Sequence, residues 1–216
     1  MIDCVFFDVA DTLLEKPELM PSLLGVLTAR GIACDESAIR RAHKAARELI
    51  HFPDHTNRDF YLNFNVRLLE TLGVYPDPAI AEEMYERCRH LDWRPFADVE
   101  ALESIPVPIG IISNWDHSLF DKLADLLPFD FKWTIGSADF GAAKPDPALF
   151  RHAIEQCGHD AERILFVGDS IRLDVAPARE VGMQSVLIDR HGLFPYFGEH
   201  RITSLHQMDR YWSDAS

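Results

Sequence analysis

The chain has 216 residues, 47% hydrophobic and 26% charged, the ordinary usage of a packed fold rather than a disordered one. Its 35 acidic residues against 21 basic ones give a formal net charge of -14. That argues against nucleic-acid and anionic-membrane partners, which need clustered lysine and arginine, but not against an anionic small molecule, since one lysine and one divalent cation reverse the sign inside a cleft.

The first element is the apolar run Val5-Phe6-Phe7, which stops at Asp8 and gives way to small and polar residues as far as Thr12. A short apolar run bounded by turn formers reads as a buried strand of a parallel sheet. Asp8 then stands at the strand's carboxyl end, where open α/β sheets place their ligands. Taken alone, it is as readily a helix-capping acid as a nucleophile or a ligand for a hard cation. Met1 is followed at once by this strand, with no basic and apolar leader, and no run approaches the roughly 18 apolar residues of a membrane span. A cytoplasmic protein is expected. Cys4, Cys34, Cys88 and Cys157 lack C-x-x-C spacing and are read as reduced structural thiols.

Residues 17–90 are helical in pattern. Leu19, Leu23, Val26 and Leu27 share one face, and Gly31 ends that helix. A second runs from Asp35 or Ser37 to Ile50, with Pro53 as its breaker. A third starts at Asn57 or Asp59 and ends at Gly73; a fourth starts at Pro76-Asp77-Pro78 and ends near His90. This stretch contains no credible strand and reads as an inserted helical bundle, residues 17–90, between two parts of a core, 1–16 and 91–216.

From Pro95 strands and helices alternate. Buried-strand runs at 107–112, 133–135, 164–167 and 185–188 are separated by helices at about 119–127, 147–157 and 174–182, with an edge segment at 202–205. That alternation predicts a doubly wound parallel sheet, an α/β fold. Its strand ends and loops carry Asp8, then Ser113 with Asn114, then Lys144, then Asp169. One polar strand end means little, but four at the same end of one sheet mark a crevice.

With these segments in place the sequence resembles the haloacid dehalogenase-like hydrolases. The resemblance rests on Asp8-Val9-Ala10-Asp11-Thr12, Ile112-Ser113-Asn114, Lys144-Pro145 and the acidic pair in Gly168-Asp169-Ser170-Ile171-Arg172-Leu173-Asp174, in that order. It implies a Rossmann-like core with a helical cap at 17–90. It also implies Asp8 as nucleophile toward phosphorus and Mg²⁺ held by Asp8, the Ala10 carbonyl and Asp169. Phosphate would be bound by Thr12, Ser113, the Asn114 N–H near a helix start and Lys144, with Asp174 orienting Lys144 or a metal-bound water from behind. The substrate implied is a small phosphorylated metabolite.

The departure is Ala10. Phosphatases of this family carry an acid there that protonates the leaving group and activates water, worth about 10²–10⁴ in rate. Asp11, one residue on, is expected to turn away from that position. The resemblance therefore also allows a catalytically silent phosphate- or partner-binding protein, or C–P or C–halogen hydrolysis with Lys44 as a cap lysine. Of the weaker signals, Asp116 reads as a helix N-cap, Phe60, Tyr61 and Phe64 as bundle core, and Phe194–Phe197 as a loop at the core edge or a subunit contact. His51 and His55 have metal spacing, but Pro53 breaks their helix.

Overall fold

The structure, a computed structural model, describes residues 1–50 and 57–212, so His51, Pro53 and His55 lie outside the described residues. The chain forms two compact units, one of Met1–Glu15 with Pro95–Ser216 and one of Lys16–Arg94. In chain order the strands are β1 (Cys4–Phe7), β2 (Leu14–Glu15), β3 (Arg94–Pro95), β4 (Ile109–Ser113), β5 (Trp133–Gly136), β6 (Ile164–Gly168), β7 (Gln184–Ile188) and β8 (Arg201–Ile202). The helices are α1 (Leu19–Ala29), α2 (Glu36–Leu49), α3 (Arg58–Leu72), α4 (Pro78–Cys88), α5 (Leu119–Leu126), α6 (Ser137–Phe140), α7 (Pro147–Cys157) and α8 (Ala176–Glu180).

Six strands of the first unit form one sheet in the order β5-β4-β1-β6-β7-β8, and every pairing is parallel. This is the Rossmann-like order, with its reversal beside β1, the point where such sheets open a crevice. All four residues of β1 are buried, as a strand covered on both faces requires. On one face Phe6, Phe150 and Phe166 form the core, the last two edge-to-face at 5.1 Å. Gly110 lies beside Phe6, where a Cβ would come within 2.6 Å of the ring. α7 opens on Asp146, which accepts from the Ala148 N–H, with Pro147 in its first turn, and closes on the left-handed Gly158.

The second unit is built from α1 to α4. Asp35, Asn57 and Asp77 cap α2, α3 and α4 by accepting the N–H groups of Ala38, Phe60 and Ala79, each cap being worth about 1 kcal/mol. The core of this unit is the apolar stripe of Leu23, Leu27, Ile39, Leu68, Leu69 and Met84. Of the aromatic run expected there, Phe64 is buried, whereas Phe60 is half-buried and Tyr61 exposed. Among the described residues no helix is long and apolar enough to cross a membrane.

Helix starts differ from expectation in two places. α5 begins at Leu119, and Asp116 accepts the N–H and hydroxyl of Ser118 in a turn ahead of it rather than capping it. Asn114 is accordingly not at a helix start. The helix expected from Asp174 begins earlier, as a wide turn over Ile171–Val175 that leads into α8, because Ser170 accepts the Leu173 N–H and draws the chain into helix.

Beyond β7, Asp189 gathers the chain by accepting from the N–H groups of Leu193 and Phe194 at 2.8 Å and from Arg201 Nε at 2.7 Å. Burial alone would raise its pKa, but these donors outweigh burial and hold the carboxyl below its ordinary value. A depressed folded-state pKa contributes stability above the unfolded value of about 3.9 and loses it as pH falls through the folded value. Urea unfolding midpoints are expected to drop between about pH 5 and pH 2, and the drop should be shallower in Asp189→Asn, which starts less stable. Parallel curves for the two proteins would contradict this.

Candidate active site

The site is built on the carboxyl ends of β1, β4 and β6 and on the loop before α7. Asp8 continues β1, and its N–H still donates to Val167 of β6 at 2.9 Å, so its backbone is locked to the sheet. The chain then wraps tightly. The Val9 carbonyl accepts from the N–H groups of Thr12 (3.3 Å), Leu13 and Leu14 (both 2.9 Å), and the Leu14 carbonyl accepts from Asp11 at 2.7 Å. Asp11 takes a left-handed φ of 60°, a conformation aspartate tolerates better than most residues. The Ala10 carbonyl takes no part in these bonds.

Lys144 organises the charges. It is buried, and its Nζ donates to Asp8 Oδ1 at 2.7 Å and to Asp174 Oδ1 at 2.6 Å. Burial by itself would lower its pKa; the two carboxylates reverse the direction and keep it an ammonium. Ser113, at the end of β4, donates to the same Asp8 oxygen at 3.0 Å. Asp8 Oδ2 takes no hydrogen bond among the described residues.

Asp174 reaches the site because the wide turn folds it back over Gly168. A Cβ on Gly168 would come within 2.4 Å of the Asp174 carboxyl carbon, so only glycine leaves room. Asp174 Oδ2 also accepts the Ser170 N–H at 2.9 Å. Its carboxyl is pushed up to about 7, with burial the largest cause, Lys144 pulling it down and the Asp8 and Asp169 charges pushing it up.

Asp8, Asp169 and Asp174 are all buried, and one oxygen of each lies within 4.8 Å of the others. Three acids this close oppose one another's ionisation, as the raised Asp174 carboxyl shows, and a bound cation would relieve that opposition. An all-oxygen donor set of this kind fits a hard divalent cation such as Mg²⁺. The residues present therefore suit the ion that the sequence resemblance implies.

Two contacts in the site were not foreseen from the sequence. The Asn114 side chain grips the main chain of Lys144, its Oδ1 accepting the Lys144 N–H at 2.7 Å and its Nδ2 donating to the Lys144 carbonyl at 2.9 Å. Thr12 is fully buried, its hydroxyl has no hydrogen-bond partner among the described residues, and its carbonyl accepts from Arg190. At the end of β7 the position that matches Asp8 and Asp169 belongs to Asp189, and Arg190 is the residue after it. The polar-strand-end rule extended to β7 would have pointed to this pair.

Removing one member of a buried charge network exposes the others to uncompensated desolvation. Lys144→Met, similar in volume, is expected to lower stability by about 3–5 kcal/mol in urea unfolding at neutral pH. A loss below about 1 kcal/mol, as for a solvated pair, would show that the ammonium is not buried between the two acids.

Comparison with known proteins agrees with this architecture. The sequence model of the haloacid dehalogenase-like hydrolases matches residues 2–182. The chain is 27% identical over 168 residues to haloacid dehalogenase-like hydrolase domain-containing protein 3 of Danio rerio, covering 72% of this chain and 69% of that protein. It is 26% identical over 201 residues to glyceraldehyde 3-phosphate phosphatase of Methanothermobacter thermautotrophicus, covering 88% and 86%. The crystal structure of a HAD phosphatase from Thermococcus onnurineus superposes with a TM-score of 0.59 at 25% identity over 98% of each chain. On a match that spans most of its length, the chain belongs to the haloacid dehalogenase-like hydrolases.

Proposed function

We propose that the protein is a Mg²⁺-dependent phosphatase that cleaves a small phosphorylated metabolite through a phosphoryl group carried on Asp8. What supports the reading most is the state of Asp8: one oxygen is held by Lys144 and Ser113, and the other takes no hydrogen bond among the described residues. A carboxylate tethered through one oxygen presents the second in a defined direction. The names of two relatives, glyceraldehyde 3-phosphate phosphatase and a phosphoglycolate phosphatase, favour a small phosphate ester.

In the first step Asp8 bonds to phosphorus as the ester oxygen leaves. In the second, water attacks the same phosphorus, which returns the Asp8 carboxylate and releases inorganic phosphate. Lys144, the Ser113 hydroxyl, the Asn114 N–H and Thr12 serve the phosphoryl oxygens, and Asp174 holds Lys144 in place. Asp8, the Ala10 carbonyl and Asp169 would hold Mg²⁺, which supplies positive charge to offset repulsion between nucleophile and phosphate.

Ala10 has no proton to give, so the leaving oxygen takes its proton from water and esters of good leaving groups are favoured. This same residue supports a second reading, a phosphate-binding protein with weak or no turnover. The amine chemistry of C–P cleavage gains no support, since Lys44 is ion-paired with Glu48 at 3.6 Å on its own helix.

The test is phosphate release from a panel of small esters that includes glyceraldehyde 3-phosphate and phosphoglycolate, with and without Mg²⁺. Turnover is expected with Mg²⁺ and should vanish in Asp8→Asn. Ala10→Asp should raise kcat on esters of poor leaving groups, by up to about 10²-fold. Activity that survives Asp8→Asn would overturn the first reading, and turnover confined to Ala10→Asp would favour the second.

A further inference from the structure

Arg190 sits at the centre of a buried knot away from the Lys144 network. Its Nη1 donates to both oxygens of Asp98 at 2.7 Å, and its Nη2 donates to the Thr12 carbonyl. Its guanidinium lies 3.9 Å from the centre of the Phe96 ring. Asp98 is in turn fixed by the Ser204 hydroxyl at 2.7 Å and the Leu205 N–H at 2.8 Å. Although burial alone would raise the Asp98 pKa, these donors hold its carboxyl below the ordinary value. Residues 12 and 96–98 therefore meet on one guanidinium, and residues 204–205 join the knot through Asp98.

The consequence falls on the loop that follows the nucleophile. Residues 9–14 close on the Val9 carbonyl, so the main-chain position of Thr12 sets the positions of Ala10 and Asp11. The next carbonyl, Leu13, accepts from the Phe96 N–H at 3.0 Å, which ties the loop to the residue under Arg190. Arg190 thus grips the loop through Thr12, and its stacking partner grips it through Leu13. Lysine could keep the charge opposite Asp98 but lacks the planar fork that reaches a second acceptor.

We propose that Arg190 is a positioning residue for the Asp8 reaction: through the Thr12 carbonyl it holds the 9–14 loop in the geometry that phosphoryl transfer needs. Its effect on rate rests on the proposed phosphatase reading. Its effect on the loop does not.

The experiment compares wild type, Arg190→Lys and Arg163→Lys in two measurements. The first is hydrogen exchange at the Thr12–Leu14 amides of the metal-free protein. The second is kcat and KM for para-nitrophenyl phosphate with Mg²⁺, a substrate whose leaving group needs no acid. Arg190→Lys is expected to speed exchange in the loop and to lower kcat about tenfold or more, with KM changed less than about threefold. Arg163→Lys, whose partner Asp3 precedes β1 and which touches no member of the knot, should change neither. Unchanged loop exchange in Arg190→Lys, or kcat within about twofold of wild type, would overturn the proposal. Should Arg190→Lys fail to fold, Asp98→Asn, which removes the charge that anchors Arg190, carries the same expectations and the same refutation. A wild type without turnover would sink the phosphatase reading while loop exchange still decides the role of Arg190.

Discussion

The constraint on which the site depends is the burial of Lys144 between two acids. An ammonium out of water is tolerable only with close counter-charges, and Asp8 and Asp174 supply them at 2.7 and 2.6 Å. Each demand then propagates. Asp174 reaches Lys144 through a widened turn that needs a glycine beneath it at position 168. Lys144 is presented from an irregular loop whose main chain is held by the Asn114 amide. Asp8 is left with one oxygen committed and one available. The same arrangement gathers three acid side chains within 4.8 Å, which accounts for the fit to a hard cation.

On the proposed reading, holding the phosphate and transferring the proton are separable tasks, and Ala10 bears on the second alone. The loop after Asp8 folds around the Val9 carbonyl and is secured by Thr12 and Leu13, with no help from the side chain at position 10. An acid there can therefore be lost without dismantling the loop. Asp11 occupies the left-handed turn position, a backbone role in its own right.

Much of this was legible in the sequence, for a local reason. Parallel strands buried on both faces are short apolar runs, and ligand groups follow them at once, so Asp8, Ser113 and Asp169 announce themselves. Capping acids at Asp35 and Asp77 and the glycine at 73 sit beside the helices they start or end. The rest has no local pattern. Arg190 meets Thr12 across 178 residues and Asp98 across 92, and Asn114 meets Lys144 across 30. The start of α5 and the wide turn at Ile171 were misjudged because Asp116 and Ser170 redirect the chain through side-chain bonds that a periodicity of apolar residues does not register.

The central claim is that Asp8 is a nucleophile held ready by Lys144 and Ser113 in a chain that lacks its usual proton donor. Acetyl phosphate separates these two properties, because its leaving group departs without protonation. After incubation of the protein with acetyl phosphate and Mg²⁺ and an acid quench, mass spectrometry of the peptide carrying Asp8 should find one added phosphoryl group on that residue, labile to hydroxylamine and absent from Asp8→Asn. A phosphoryl group on another residue, or phosphate release with none on Asp8 at any time point, would contradict the account.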